Sequence, residues 1–189
     1  MAHFEFVNKY KDCGLDLPKR GTKNSAGYDL TIVEDIIVPR YEDATIDLMS
    51  AYANGDTEIL ISGLANAPVL DLSTLADLTK KTHNKPTLVS TGVKCYLDEG
   101  EYLELSVRSS TPLKYWIILA NSVGIIDADY ADNPDNEGEI FFQLINLSPF
   151  DIQLHKGDKI GQAIIHKYEI TDNDNAEGER IGGFGSTSK

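Results

Sequence analysis

The sequence predicts an all-β domain with one short helix, on two observations. Apolar and polar residues alternate over many short runs, as in Tyr102-Leu103-Glu104-Leu105-Ser106-Val107-Arg108, and Gly, Pro, Asn and Asp separate those runs at turn-like spacing. Few stretches keep a helical period. Chains of this kind close into barrels or jelly-roll-like clips. A chain of 189 residues and 20.8 kDa suits one domain with a real core, and no repeat or low-complexity linker divides it. Residues 1–189 are therefore read as a single domain.

In order, residues 3–10 alternate as a strand, and 12–24 read as a loop rich in Gly, Pro, Lys and Asp. Residues 31–38 form a strand stopped by Pro39. The segment 50–86 has turns of its own and looks inserted. Asn54-Gly55-Asp56 marks a turn, and Leu72, Leu75, Ala76 and Leu78 suit a short helix over 70–81. Its apolar residues need burial, so a hairpin plus a short helix on the outside of the domain is expected, either as decoration or as a dock for a protein partner. The strand pattern resumes over 88–97, and Asp98-Glu99-Gly100-Glu101 reads as a hairpin turn into 102–108. Pro112 suits the first position of a helix over 113–119. Residues 140–145 read as a strand broken at Pro149. Residues 151–154 and 159–168 read as a hairpin around Lys156-Gly157-Asp158. The last stretch, 172–189, has little to bury and reads as a mobile arm.

The composition excludes several functions. The formal net charge is −13, which repels a nucleic-acid backbone. No apolar run is long enough to span a bilayer, and Met1-Ala2-His3-Phe4-Glu5 lacks the features of a signal peptide, so a cytoplasmic location with no membrane partner is expected. Cys13 and Cys95 make no metal-binding pattern and read as free thiols.

The chemistry centres on Gly124-Ile125-Ile126-Asp127-Ala128-Asp129-Tyr130, with Asn121 just before it. A strand that turns here would bring Asp127 and Tyr130 to the mouth of a pocket, with Gly124 letting a ligand approach the backbone. The acidic run that follows does not have the spacing of a calcium loop. The position that needs glycine holds Asp132, and the final glutamate position holds Gly138. Residues 132–139 are therefore read as a solvated acidic loop. The glycine-rich end, Arg180 to Lys189, resembles a phosphate-binding loop in composition but lacks the P-loop ending. Taken alone, such a tail is usually a frayed terminus.

Five blocks nevertheless occur in a fixed order: Ala26-Gly27-Tyr28-Asp29-Leu30; Arg108-Ser109-Ser110; Gly124 to Tyr130; Gly157-Asp158-Lys159-Ile160-Gly161-Gln162; and Gly182-Gly183-Phe184-Gly185-Ser186-Thr187. That order closely resembles the trimeric deoxyuridine triphosphatases (dUTPases) and spans nearly the whole chain outside 50–86. The resemblance implies a dUTPase-like β-clip, a homotrimer with sites at subunit interfaces, and Mg²⁺-dependent hydrolysis of dUTP to dUMP and pyrophosphate. It implies that Asp127 activates the attacking water. Asn121 and the backbone of Gly124, Ile125 and Ile126 would read uracil, and Tyr130 would pack on the deoxyribose. Arg108, Ser109, Ser110 and Gln162 would hold phosphates, and Asp29 would order water around the metal. The arm would close from another subunit, with Phe184 and Gly185 at the base and Arg180, Ser186 and Thr187 toward the γ-phosphate. Two departures stand out: Ser110 replaces the usual glycine, and the arginine-to-phenylalanine spacing in the arm is one residue short.

Two rival readings fit part of the pattern. A dCTP deaminase of the same fold would need a glutamate in the strand after the third block, where this chain has Gln143. A nucleotide-sensing regulatory protein could use the same pocket, although a pure binder needs no base at Asp127.

Overall fold

The structure is a computed structural model that describes residues 1–41, 85–178, 180, 182 and 183. The expected hairpin and helix of the 50–86 segment fall almost entirely outside the described residues, as do Phe184, Gly185, Ser186 and Thr187.

The described chain is mostly strand, with one short helix and two single 3₁₀ turns. The strands are β1 (His3–Phe6), β2 (Lys19–Arg20), β3 (Tyr28–Thr31), β4 (Ile36–Val38), β5 (Thr87–Ser90), β6 (Val93–Tyr96) and β7 (Glu101–Val107). Helix α1 (Ser110–Tyr115) follows, then β8 (Ile117–Leu119), β9 (Gly124–Asp127), β10 (Phe141–Asn146), β11 (Ile152–Leu154) and β12 (Lys159–Lys167). A five-stranded sheet runs β2-β3-β12-β7-β9, a three-stranded sheet runs β5-β10-β8, and β1-β6 and β11-β4 form two ribbons. The described strands do not close into a barrel. Their inner faces meet on Leu30, Ile32, Leu103, Leu105, Ile117, Phe142 and Leu144, all essentially buried.

β12 is the spine. It pairs with β3 on one edge and β7 on the other. Its register with β3 shifts between Lys159 and Gly161. A Cβ at Gly161 would fall 2.2 Å from the Phe142 ring and 2.9 Å from the Ser106 carbonyl. Glycine is required there for space.

Several expectations are corrected. Residues 88–97 are two strands. Buried Thr91 donates its hydroxyl to the Ile140 carbonyl at 2.6 Å, and Gly92 sits at φ +69. That kink sends β5 to β10 and β6 to β1. The 98–101 turn closes with Glu101 N–H on the Asp98 carbonyl at 3.1 Å, yet β7 then pairs with β9 and β12 instead of with β6. Likewise β11 pairs with β4, so 151–168 is a turn between sheets, not a hairpin. The helix starts at Ser110, two residues before Pro112. It ends at Trp116, whose left-handed φ of 57 turns the chain into β8.

The loop 131–139 is not simply solvated. Lys94 and the Tyr96 hydroxyl both bond Asp132, and Asn8 bonds Glu137 through its backbone and side-chain nitrogens. Asn133 is buried. Gly138 has φ +80, and a Cβ there would fall 2.7 Å from the Tyr130 carbonyl. Both space and conformation exclude a side chain. Gly138→Ala is therefore expected to lower stability by about 1–3 kcal/mol; an unchanged melting temperature would show that the loop simply re-forms.

Candidate active site

The sequence-predicted residues fall into two groups at opposite ends of β7. The first surrounds a cleft of about 200 Å³ lined by Asn121, Gly124, Ile125, Ile126, Asp127, Tyr130, Phe141, Gln143 and Arg180. β9 forms one wall. It is held by its pairing to β7, with Leu105 opposite Gly124 and Tyr102 opposite Asp127. A Cβ at Gly124 would lie 3.1 Å from the Leu105 side chain, so the bare backbone is demanded by packing as well as by ligand approach. β10 forms the other wall. Its alternation buries Phe142 and Leu144 and turns Phe141 and Gln143 toward the cleft.

Asp127 ends β9 with an exposed carboxylate, and the 3₁₀ turn Ala128–Tyr130 follows at once. That turn swings Tyr130 inward, to 6 % exposure. Burial pushes the Tyr130 phenol up from its ordinary range, so it keeps its proton at neutral pH. The arm reaches the same place. Arg180 pairs with Asp127 and, at 2.7 Å, with Asp129, and its guanidinium lies 5.7 Å from the centre of the Tyr130 ring. Gly183 donates its N–H to Asp135 at 3.2 Å and lies against the Tyr130 ring. In this structure Arg180 thus rests on Asp127 of its own chain.

The second group lies where β7 leads into α1. Asp29 is 18 % exposed and holds two cations, Arg108 Nε at 3.4 Å and Lys159 Nζ at 2.9 Å. Gln162 is directly opposite Asp29 on β3 and Ser106 on β7, and its amide donates to the Ser106 hydroxyl at 3.3 Å. A Cβ at Gly27 would fall 2.6 Å from Gln162 Oε1, so the first block's glycine makes room for the fourth block's glutamine. Buried Thr111 donates its hydroxyl to the Ile160 carbonyl at 3.1 Å, tying α1 to β12. Arg108 and Ser110 border a groove of about 560 Å³ with Lys159. The sequence marks Lys159 only as one of several cations near the blocks, without a site role, and does not single out Ser106. Lys159 could have been found from its place inside the fourth block, and Ser106 from lying two residues before Arg108 on the same strand face.

The two groups share no lining residue. Asp127 is level with Tyr102, and Arg108 follows six residues later, just past the end of β7. At about 3.3 Å per residue that is roughly 20 Å, more than a triphosphate group bridges. Among the described residues no group of three or more Asp, Glu, His or Cys is placed to hold a metal, and no helix is long and apolar enough to cross a membrane.

Comparison with known proteins gives a consistent result. The dUTPase family profile matches residues 56–188, beginning inside the 50–86 segment. The deoxyuridine 5'-triphosphate nucleotidohydrolase of Lactococcus lactis subsp. lactis is 34 % identical over 186 residues, covering 97 % of this chain and 95 % of its own. That of Finegoldia magna is 34 % identical over 146 residues, covering 69 % of this chain and 98 % of its own. The crystal structure of dUTPase from Streptococcus mutans superposes with a TM-score of 0.65 at 32 % identity, covering 90 % of this chain and 98 % of that one. The dUTPase of phage phi11 of S. aureus, at 15 % identity and a TM-score of 0.59, shares the fold.

Proposed function

The chain belongs to the dUTPase family, and from that membership we propose that it hydrolyses dUTP to dUMP and pyrophosphate at a site its subunits share. The observation that carries the reading is the β7–β9 register, which sets Asp127 beside Tyr130 at the open end of a cleft of nucleobase size. Asn121 and the backbone of Gly124–Asp127 offer fixed donors and acceptors to uracil. Tyr130 closes the sugar end, where a 2′-hydroxyl would lose its water without gaining a partner.

Asp127 takes a proton from the attacking water as its oxygen bonds the α-phosphorus, and the bridging oxygen leaves with pyrophosphate. Arg108, Lys159, Gln162, Ser109 and Ser110 meet the phosphates and offset their growing charge. Asp29 first acts as the counter-ion that holds Arg108 and Lys159 in place. Once those cations turn to the phosphates, its carboxylate would be free to accept hydrogen bonds from the waters of a bound metal. No cage of three ligands is built by the described residues, which suits a metal carried in by the substrate. Mg²⁺ commonly binds through substrate phosphates, waters and one or two carboxylates, and here it would neutralise phosphate charge. While Arg180 rests on it, the Asp127 carboxylate is occupied and not open to the attacking water. The arm must give Arg180 another anion, and the γ-phosphate supplies one as Phe184, Gly185, Ser186 and Thr187 close over the substrate.

The roughly 20 Å between Asp127 and Arg108 supports sites completed by a neighbouring chain, and we propose a cytoplasmic homotrimer of single-domain subunits. Light scattering is expected to give three chains per particle; a fully active monomer would overturn shared sites. The reaction itself is tested by pyrophosphate release from dUTP, dCTP and UTP with and without Mg²⁺. Turnover of dUTP alone, and only with the metal, is expected. Ammonia release from dCTP would favour the deaminase-like relatives, against which Gln143 already speaks because an amide moves no proton. Tight dUTP binding without hydrolysis would favour a nucleotide sensor.

A further inference from the structure

We propose that Asn136 is a positioning residue for sugar selection, and that the loop 131–139 exists in this chain as a fixed seat for Tyr130. The inference rests on the reading of Tyr130 as the group that meets the deoxyribose.

The geometry is unusually complete. Asn136 Nδ2 donates to the Tyr130 hydroxyl at 2.9 Å, and that hydroxyl donates in turn to the Glu139 carbonyl at 3.2 Å. The Asn136 amide cannot turn over. Its Oδ1 accepts from Asn133 Nδ2 at 2.7 Å and from the Gly138 N–H at 3.1 Å, so a flipped amide would set donors against donors. Asn133 is fixed just as firmly. It donates to the Tyr130 carbonyl at 2.9 Å, and its Oδ1 accepts the N–H groups of Asp135 and Asn136 at 3.1 and 3.3 Å. One asparagine therefore grips the backbone of Tyr130 and the other grips the far end of its ring.

The seat is anchored from outside as well. Lys94 and Tyr96 of β6 hold Asp132, and Asn8 holds Glu137. Asp132, Glu137 and Gly138 all adopt positive φ, a backbone state that persists where surrounding contacts enforce it. A loop built only to be soluble needs none of this. A ring that must reject a single hydroxyl does need it, because discrimination by contact fails once the ring can retreat by a fraction of an ångström.

The test is the ratio of kcat/KM for dUTP to that for UTP. Asn136→Ala is expected to lower the ratio by about tenfold or more, mainly through gains on UTP, while kcat for dUTP stays within about threefold. Tyr130→Phe removes the same bond from the other side, keeps the loop intact, and should lower the ratio similarly. The double variant should fall little further than the lower single variant, since each single change already cuts the Asn136–Tyr130 bond. Asn8→Ala removes one outside anchor of the loop but keeps its backbone bond to Glu137 and the Asn136–Tyr130 bond, so it should lower the ratio much less than Asn136→Ala does. An unchanged ratio in Tyr130→Phe, or an equal loss in Asn8→Ala, would overturn the role of Asn136. Tyr130→Ala separates the two levels. If it too leaves the ratio intact, the reading of Tyr130 itself fails. If it collapses the ratio while Asn136→Ala and Tyr130→Phe do not, only the present inference fails.

Discussion

Asp127→Asn is expected to reduce dUTP turnover by about a thousandfold while dUTP binding stays within a few-fold of the unaltered chain. The asparagine keeps the size and place of the carboxylate at the end of β9, so the cleft formed with Asn121 and Tyr130 survives. What it loses is the ability to take a proton from water. It also loses the negative charge that holds Arg180, which leaves that side chain with Asp129 and the arm's Gly183 with Asp135. The arm should then leave its own chain more readily, so binding is not expected to weaken. Single-turnover pyrophosphate release and equilibrium dUTP binding separate the two effects. Turnover within a few-fold of the unaltered chain would remove Asp127 from the chemistry.

Gly161→Ala is expected to be the most damaging single methyl group in the described structure. The new carbon would stand 2.2 Å from the fully buried Phe142 ring and 2.9 Å from the Ser106 carbonyl. Neither can yield cheaply. Phe142 fills the core between the two larger sheets, and Ser106 lies in the β7 ladder. Overpacking of this kind costs about 3 kcal/mol or more, which for a chain of this size lowers the melting temperature by roughly 6–12 °C. The strain lies two residues from Lys159 and one from Gln162, so phosphate binding should weaken as well. A melting temperature within a degree or two of the unaltered chain would mean that Phe142 has room to rotate away.

The sequence reading succeeded where a signal is local. Alternation found β7, β10 and β12 to within a residue at each end, whereas the run 3–10 is strand only over His3–Phe6 and turns as a 3₁₀ helix at Asn8–Tyr10. It failed where the deciding contact is distant. Gly92 reads as an ordinary strand glycine, yet a Cβ there would meet Tyr10 and Val33 at 3.0 Å, and that crowding sets the kink between β5 and β6. Trp116 gives no hint that it ends a helix, because a left-handed tryptophan has no propensity behind it. The two expected hairpins failed for the same reason: a turn is written locally, but the partner of a strand is not.

The site divided in the same way. Resemblance pointed to Asp127, Asn121, Tyr130, Arg108 and Gln162, and the structure gathers them into two groups. It could not show that Asp29 holds Arg108 and Lys159, since that pairing joins positions 130 residues apart in the chain. Nor could it show the Asn133 and Asn136 network. Asparagines in an acidic stretch look like solvated loop until their partners are known.

In the proposed trimer, the distance from Asp127 to Arg108 along β7 would also govern how defects combine when different copies of the chain assemble. Within a shared-site trimer each site draws the two residues from different chains. A chain lacking Asp127 and a chain lacking Arg108 are both inactive alone. Mixed at random in equal amounts, they still leave about one quarter of the sites whole, because each site receives either residue intact half the time. Were both residues supplied by one chain, no whole site could form. In the proposed trimer that separation would make activity a property of the assembly's membership and let two broken sequences restore one another.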